Sequence, residues 1–385
     1  MPRSKVHVKV LILKPAGKIV EDGSVGSFSY GNPEVIVKTN TNTGDFFVHD
    51  ATLRLIEAEV VEHSQYKNYE KEEIARLNSE FDIAILRGSN YIHQNYDWSD
   101  VLQLIEGLTI PIVAFGIGCQ ASSKGVELPE QAMRALKTIA EKSTSIGVRG
   151  EYTADFLSSI GIKNVDIVGC PSILRRNEPA LKVNFKPIEE IRRVGLTTHK
   201  SLAGMYCDDP KRTIELQKSL IEELYRDYQL TIVGQGETEE KILFYKFKER
   251  YGEVVDRLTR IGWISSLHDP SLAAYSSTIF FGTSALEYAE NAKSLDLAIG
   301  VRLHGNVMAL AHGVPAIFVV YDSRTREFAN LFDLPQIDIS KGYSTRWQDV
   351  YTHENFQRFE KTYAKVYQDV REFLNKNKVK NRMIG

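Results

Sequence analysis

The 385-residue chain is too long for one ordinary core, because domains run to ~100–200 residues, so two domains are expected. Its 43% hydrophobic and 25% charged residues suit a globular protein, and a net charge of −2 leaves no global basic field for nucleic acid or an anionic membrane. No apolar run approaches the ~20 residues that span a bilayer, the first residues lack the apolar stretch of a secretory signal, and Cys119, Cys170 and Cys207 read as buried thiols of a reducing cytosol, neither a disulfide framework nor a metal motif.

Val8–Leu13 reads as an initial strand within an otherwise unpatterned first 30 residues. Val35–Lys38, rich in β-branched residues, reads as another, running into a polar turn (39–45) that opens a helix. Glu70–Ser79 is a helix, and Phe81–Leu86 and Ile110–Phe115 are apolar runs of buried-strand type. They end at Arg87-Gly88-Ser89-Asn90 and Gly116-Ile117-Gly118. Helix Gln131–Glu141, strand Ser145–Val148, helix Glu151–Ile160 closed by Gly161, and strand Val165–Val168 continue the alternation.

Arg175–Pro187 breaks the pattern and reads as a linker. The βα alternation then restarts: strand Arg193–Thr197, helix Arg212–Tyr228, strand Leu230–Val233, helix Glu237–Tyr251 and strand Arg257–Trp263. It goes on with helix Ser284–Ala292, strand Leu297–Val301, helix His304–His312 and strand Ala316–Tyr321. A last helix, Glu354–Lys376, carries a stripe of Phe356, Phe359, Tyr363 and Tyr367 that suits packing on the first domain or on another subunit, which leaves a homo-oligomer open. Strands alternating with helices imply parallel sheets. The fold class is therefore α/β, with two doubly wound, Rossmann-like domains facing across a cleft. They divide as 1–178, 188–345 and a C-terminal helix in 346–385 that packs back on the body.

In such domains ligands bind at the carboxyl ends of the strands. Arg302 and His304 stand just past the end of Leu297–Val301, where a helix begins near Gly305. A helix N-terminus attracts anions, Arg302 adds a guanidinium fork for carboxylate or phosphate, and His304 can move a proton near neutral pH. The bland alternative makes Arg302 a structural ion pair and His304 a cap. Arg149 repeats the logic in the first domain, and Arg324 and Arg326 follow strand Ala316–Tyr321, one of them expected to face the cleft. Asn42, Thr43, Gly44 and Asp45 either line a site or only open a helix. Gly234-Gln235-Gly236-Glu237 reads as a turn. His93, His199, His268 and His312 lack metal-ligand spacing, and His312 suits a contact with the helix dipole.

Ile146-Gly147-Val148-Arg149-Gly150-Glu151, then Val168-Gly169-Cys170-Pro171-Ser172, look like the middle of the polysaccharide pyruvyltransferase family. Gly300-Val301-Arg302-Leu303-His304-Gly305, running on through Gly313-Val314-Pro315 to Tyr321-Asp322, resembles that family's most characteristic stretch. The resemblance extends from about Asn42 to about Asp338. It implies a GT-B-like fold and transfer of the pyruvyl group of phosphoenolpyruvate onto two sugar hydroxyls as a ketal, in cell-surface polysaccharide synthesis, with no metal or other cofactor. It further implies that Arg149, Arg302, Leu303, His304, Gly305 and Arg326 bind the donor, with Arg302 and His304 catalytic, His304 as acid or base. Asn42, Gly44, Asp45, Arg87, Ser89 and Asn90 are the acceptor-side candidates. The chain departs from the family pattern at Phe46 after Gly44-Asp45 and at the turn 87–90. The partners implied are phosphoenolpyruvate and a sugar or glycolipid precursor, met in the cytoplasm. A lipid-linked acceptor would bring loose association with the inner face of the membrane.

Two other functions compete. A nucleotide-sugar glycosyltransferase of the same architecture would use Arg302 and His304 on a diphosphate and recruit Glu327 for the ribose. A non-catalytic relative would bind an anionic sugar or a protein. The altered first-domain turns favour it, and the joint presence of Arg149, Arg302 and His304 opposes it.

Overall fold

The computed structural model describes residues 8–27, 31–39, 42–65, 67–121, 126–200, 206–207, 209–341 and 345–385. Residues 40 and 41 of the expected polar turn lie outside them. In chain order the strands are β1 (Lys9–Leu13), β2 (Lys18–Ile19), β3 (Val25–Gly26), β4 (Val60–His63), β5 (Ile83–Arg87), β6 (Ile112–Ile117), β7 (Ile146–Val148) and β8 (Val165–Ile167). They continue with β9 (Arg193–Thr197), β10 (Gln229–Val233), β11 (Ile279–Phe280), β12 (Leu297–Gly300), β13 (Ala316–Val320) and β14 (Gln336–Asp338). Two six-stranded sheets result, ordered β4-β1-β5-β6-β7-β8 and β11-β10-β9-β12-β13-β14, with β2 and β3 a small hairpin. Every pairing in the two large sheets is parallel. This is the expected pair of doubly wound domains. β5, β6 and β13 are buried along their whole length because helices cover both faces, which is why they read as unbroken apolar runs.

Two expected strands are helices. Val35–Lys38 lies in the helix Pro33–Lys38, because the Asn32 side chain accepts from the Val35 amide and Pro33 presets the first turn. That local cap overrides β-branched propensity. Arg257–Trp263 is mostly the helix Tyr251–Arg260, which buries Val254 and Leu258, four residues apart, on one face. The expected helix Glu237–Tyr251 breaks after Thr238–Phe244, where Lys246 takes a left-handed conformation with φ of 58°. Gly161, with φ of 89°, follows the helix Glu151–Ser159 as expected. The short strands β4, β11 and β14 carry too little pattern to be read in advance.

Between the sheets, residues 168–192 hold only short 3-10 turns. The final helix, His353–Lys376, does not leave its aromatic stripe exposed. Phe356, Phe359, Tyr363 and Tyr367 are buried, and Phe373 stacks on Phe115 of β6. Asn377 bonds Ser145, and Lys376 pairs with Asp166 at 2.8 Å. One apolar cluster runs from Ile12 and Phe46 through Val307 and Phe318 to Tyr363, so the two sheets share a continuous core. That core joins the two domains.

Candidate functional site

Both sheets have a topological switch point, where the chain reverses its direction of travel across the sheet. In the first it lies between β1 and β5, in the second between β9 and β12. Neighbouring loops part there and leave a crevice at the strand ends. Lys14 follows β1 and Arg87 ends β5. His199 and Lys200 follow β9, and Arg302 follows β12. The two crevices are brought against each other, and the cations of both domains meet.

On the second domain the geometry starts from Gly300. Its φ is 142°, and any Cβ there would lie 2.1 Å from the Thr197 carbonyl, so only glycine lets β12 close on β9. The Arg302 amide donates to Thr197 Oγ1 at 3.2 Å, and Asn306 Nδ2 donates to the Gly300 carbonyl at 2.8 Å. The helix Leu303–Ala311 therefore begins directly after Arg302, two residues before Gly305. Arg302 Nε donates to the Thr198 carbonyl at 3.0 Å, and its Nη2 lies 3.6 Å from Glu237. Glu237 in turn sits 2.7 Å from Lys200 Nζ, which also reaches Glu240 at 3.2 Å and donates to the Tyr275 hydroxyl. Burial opposes the Lys200 charge, yet Glu237, Tyr275, Glu240 and Glu239 outweigh it and hold the ammonium well above its usual range.

His304 is the centre of the arrangement. Its Nε2 lies 3.5 Å from Cys170 Sγ, and on its other side a Cβ on Gly44 would come within 2.6 Å of Nδ1. Glycine at 44 thus gives the ring room across the domain boundary. Burial first, then the charges of Arg149, Arg324, Arg87 and Arg302, push the imidazole well below its ordinary pKa and keep it neutral. Two of these arginines come from each domain. Leu303 and Gly305 are buried beside it, and Gly305 packs against Thr197 and Gln235.

From the first domain, Arg149 is 0% exposed. Its Nε donates to the Gly116 carbonyl and its Nη1 to Asn90 Oδ1, while Nη2 is buried with no partner. Arg87 donates to the Lys14 carbonyl at 2.8 Å and to Asp45 at 3.1 Å, and Ser89 Oγ donates to the same Asp45 oxygen at 3.2 Å. Asn42 caps the helix Thr43–Leu55 by accepting from the Gly44 amide. The residues read as an acceptor side therefore border the Arg149–His304 cluster directly: Gly44 lies on His304 and Asn90 on Arg149.

Several expectations are corrected. Arg326 turns away to Asp338 at 3.1 Å, with its side chain 39% exposed. Arg324 is the one on the cleft side, donating to the Tyr321 hydroxyl at 2.7 Å and lying 3.5 Å from Asp322. Glu327 is taken up by Thr153 of the other domain, so it has no freedom to meet a ribose. His312 makes no charged dipole contact. Burial and the neighbouring Arg175 hold it down to about 3, and its Nε2 faces Arg175 Nη1 at 3.1 Å. Lys200, Glu240 and Tyr275, the support of Arg302, carry no motif in the sequence, where Cys170 reads as a plain core thiol and Glu237 as a turn residue. His199, weighed in the sequence only as a metal ligand, is held down to about 3 by burial and then by Arg302. Strand-end position, applied to β9 as it was to β12, is the signal that marks His199 and Lys200. Among the described residues, no group of three His, Cys, Asp or Glu side chains could hold a metal ion, and no helix is long and apolar enough to cross a membrane.

A cluster of cations from both domains surrounds one buried histidine where the strand ends of the two doubly wound domains meet. The family model of polysaccharide pyruvyl transferases matches residues 42–323, most of the chain, and the protein belongs to that family of transferases. No curated protein matches it. Among solved structures it is similar to an uncharacterized protein of Klebsiella pneumoniae, at 13% identity and TM-score 0.42, covering 86% of this chain and 93% of that one. It is also similar to MnaA of S. aureus in a co-structure with UDP, at 12% identity and TM-score 0.44, covering 98% and 100%. A third is Anabaena HepE in complex with UDP, at 11% identity and TM-score 0.46, covering 96% and 100%.

Proposed function

We propose that this transferase moves the pyruvyl group of phosphoenolpyruvate onto two hydroxyls of a sugar as a ketal, in the synthesis of a cell-surface polysaccharide. The observation that carries the reading is the convergence of four arginines, two from each domain, on one buried neutral histidine. Phosphoenolpyruvate is small and multiply anionic, and it needs cations for both a phosphate and a carboxylate. A proton delivered to its methylene carbon makes the adjacent carbon electrophilic. One sugar hydroxyl adds there and loses its proton. The second adds with departure of phosphate, loses its proton in turn, and closes the ketal. His304 supplies the first proton. Burial first and then the arginines hold it uncharged, and the donor's negative charges offset the arginines, so His304 takes up its proton together with the donor. The glycosyltransferase reading loses support because Glu327, its ribose acid, is bonded across the domains.

Calorimetric titration of phosphoenolpyruvate, with UDP and GDP as controls, tests this. Saturable binding of phosphoenolpyruvate alone is expected, weakened in Arg302→Ala. Repeating it in buffers of different ionisation enthalpy should reveal net proton uptake that His304→Ala lacks. Tight nucleotide binding with no response to phosphoenolpyruvate would sink the reading.

A further inference from the structure

Arg149 reaches the site from the last turn before the helix Glu151–Ser159, and the N-terminus of that helix is not capped by its own chain segment: Gly150 stands at the cap position without a side chain. The missing cap comes from the other domain. Glu327, in the helix Ser323–Leu331, accepts from the Thr153 amide at 3.0 Å and lies 2.9 Å from Thr153 Oγ1 through both carboxyl oxygens. Thr153 Oγ1 also accepts from the Cys119 amide at 2.8 Å, which ties the cap to the loop after β6. Gly150 is needed for this approach rather than for its backbone angle, since a Cβ there would lie 3.0 Å from Glu327 Cβ. Beside it, Gln120 donates to Asp322 at 2.8 Å and the Ala121 amide to Ser323 Oγ at 3.0 Å, so one short stretch of the second domain is stitched to the strand ends of the first.

We infer that Glu327 is a positioning residue, a cap supplied in trans that fixes the Arg149–Gly150 turn only while the two domains are together. An N-terminal cap is worth about 1 kcal/mol to a helix, and here that energy is delivered across the domain contact. Arg149 Nη2 is buried and unpartnered, so nothing but the turn and two neutral oxygens holds the guanidinium in place for an incoming anion. The arginine is therefore placed by the same contact that joins the domains. That the placed arginine serves the donor rests on the function proposed above.

The ionisation state follows from what faces the carboxyl. Burial comes first and raises it to about 7, against the bonds from Thr153 and the charge of Arg149, with Asp322 at the start of its own helix adding to the rise. Cys119 after β6 and Tyr152 in the capped helix are the other titratable neighbours. Raised above an ordinary carboxyl, Glu327 favours the joined domains in its protonated form, and the contact weakens as pH rises through about 7. Glutamine is the neutral isostere of that form.

The test compares wild type, Glu327→Ala and Glu327→Gln by hydrogen exchange of residues 150–159 and by phosphoenolpyruvate affinity from pH 6 to 8. Glu327→Ala should lose protection at Thr153 and bind phosphoenolpyruvate about tenfold more weakly. Glu327→Gln should restore both and should not show the decline in protection between pH 6 and about 7, levelling off above it, that is expected of the wild type. Unchanged protection in Glu327→Ala would overturn the cap. Lost protection with unchanged affinity would overturn the positioning role, and so would Glu327→Gln behaving like alanine. If the wild type binds no phosphoenolpyruvate, the proposed donor fails, while the exchange data still decide whether the cap acts in trans.

Discussion

Arg149 and Lys200 are both fully buried cations at strand ends, one in each domain, and they are treated oppositely. Lys200 is surrounded by Glu237, Glu240 and the Tyr275 hydroxyl, so its charge is neutralised within the protein. Arg149 has only a backbone carbonyl and an amide oxygen, makes no ion pair among the described residues, and keeps one nitrogen without a partner. A buried charge without a counter-ion is unfavourable, and a fold retains it when something else brings the counter-charge. The comparison teaches that burial and charge alone do not mark a binding residue. What marks it is charge left uncompensated. Arg302 stands between the two, 3.6 Å from a carboxylate that Lys200 already holds.

Substitution separates the two cations most sharply. Arg149→Met should weaken phosphoenolpyruvate binding by about 100-fold or more while leaving the urea midpoint unchanged or raised. Lys200→Met should lower stability by about 3–5 kcal/mol, because two carboxylates are left buried without their ammonium. Equal destabilisation by both in urea titrations would break the contrast. A smaller effect is expected of Gly44→Ala, whose new methyl group would press on His304. Turnover should fall by roughly 10- to 100-fold with the thermal midpoint nearly unchanged, since a displacement of about 1 Å at the reacting group is enough. Unaltered turnover would mean that the imidazole has room to spare. The smallest effect belongs to Arg326→Ala, which removes a half-exposed ion pair. Donor affinity should change by less than about twofold and stability by less than about 1 kcal/mol. A large loss of affinity there, with Arg324→Ala silent, would reverse the assignment of the cleft-facing arginine.

The long alternating segments were legible because a buried parallel strand is an unbroken apolar run and an amphipathic helix repeats at a period near 3.6. The site's anchor was legible for a related reason. Arg302, His304 and Arg149 sit where a strand run stops and a helix begins, and that junction is a local property of the chain. Val35–Lys38 reads as a strand because β-branched content is a weak preference that one cap overrides, and Arg257–Trp263 is mostly helical because Leu258 shares one buried face with Val254.

The sequence by itself determined the two βα series and the candidate residues at the strand ends, since these depend on residue type and spacing along one segment. Only the tertiary structure decided which residues meet. It turned Arg324 rather than Arg326 toward the cleft, set Gly44 against His304, gave Lys200 its carboxylates and sent Glu327 to the helix of the other domain. Pairings of that kind are set by strand order and by the packing of one domain on another, and residues up to 260 positions apart, such as Gly44 and His304, leave no periodicity that a single chain can display.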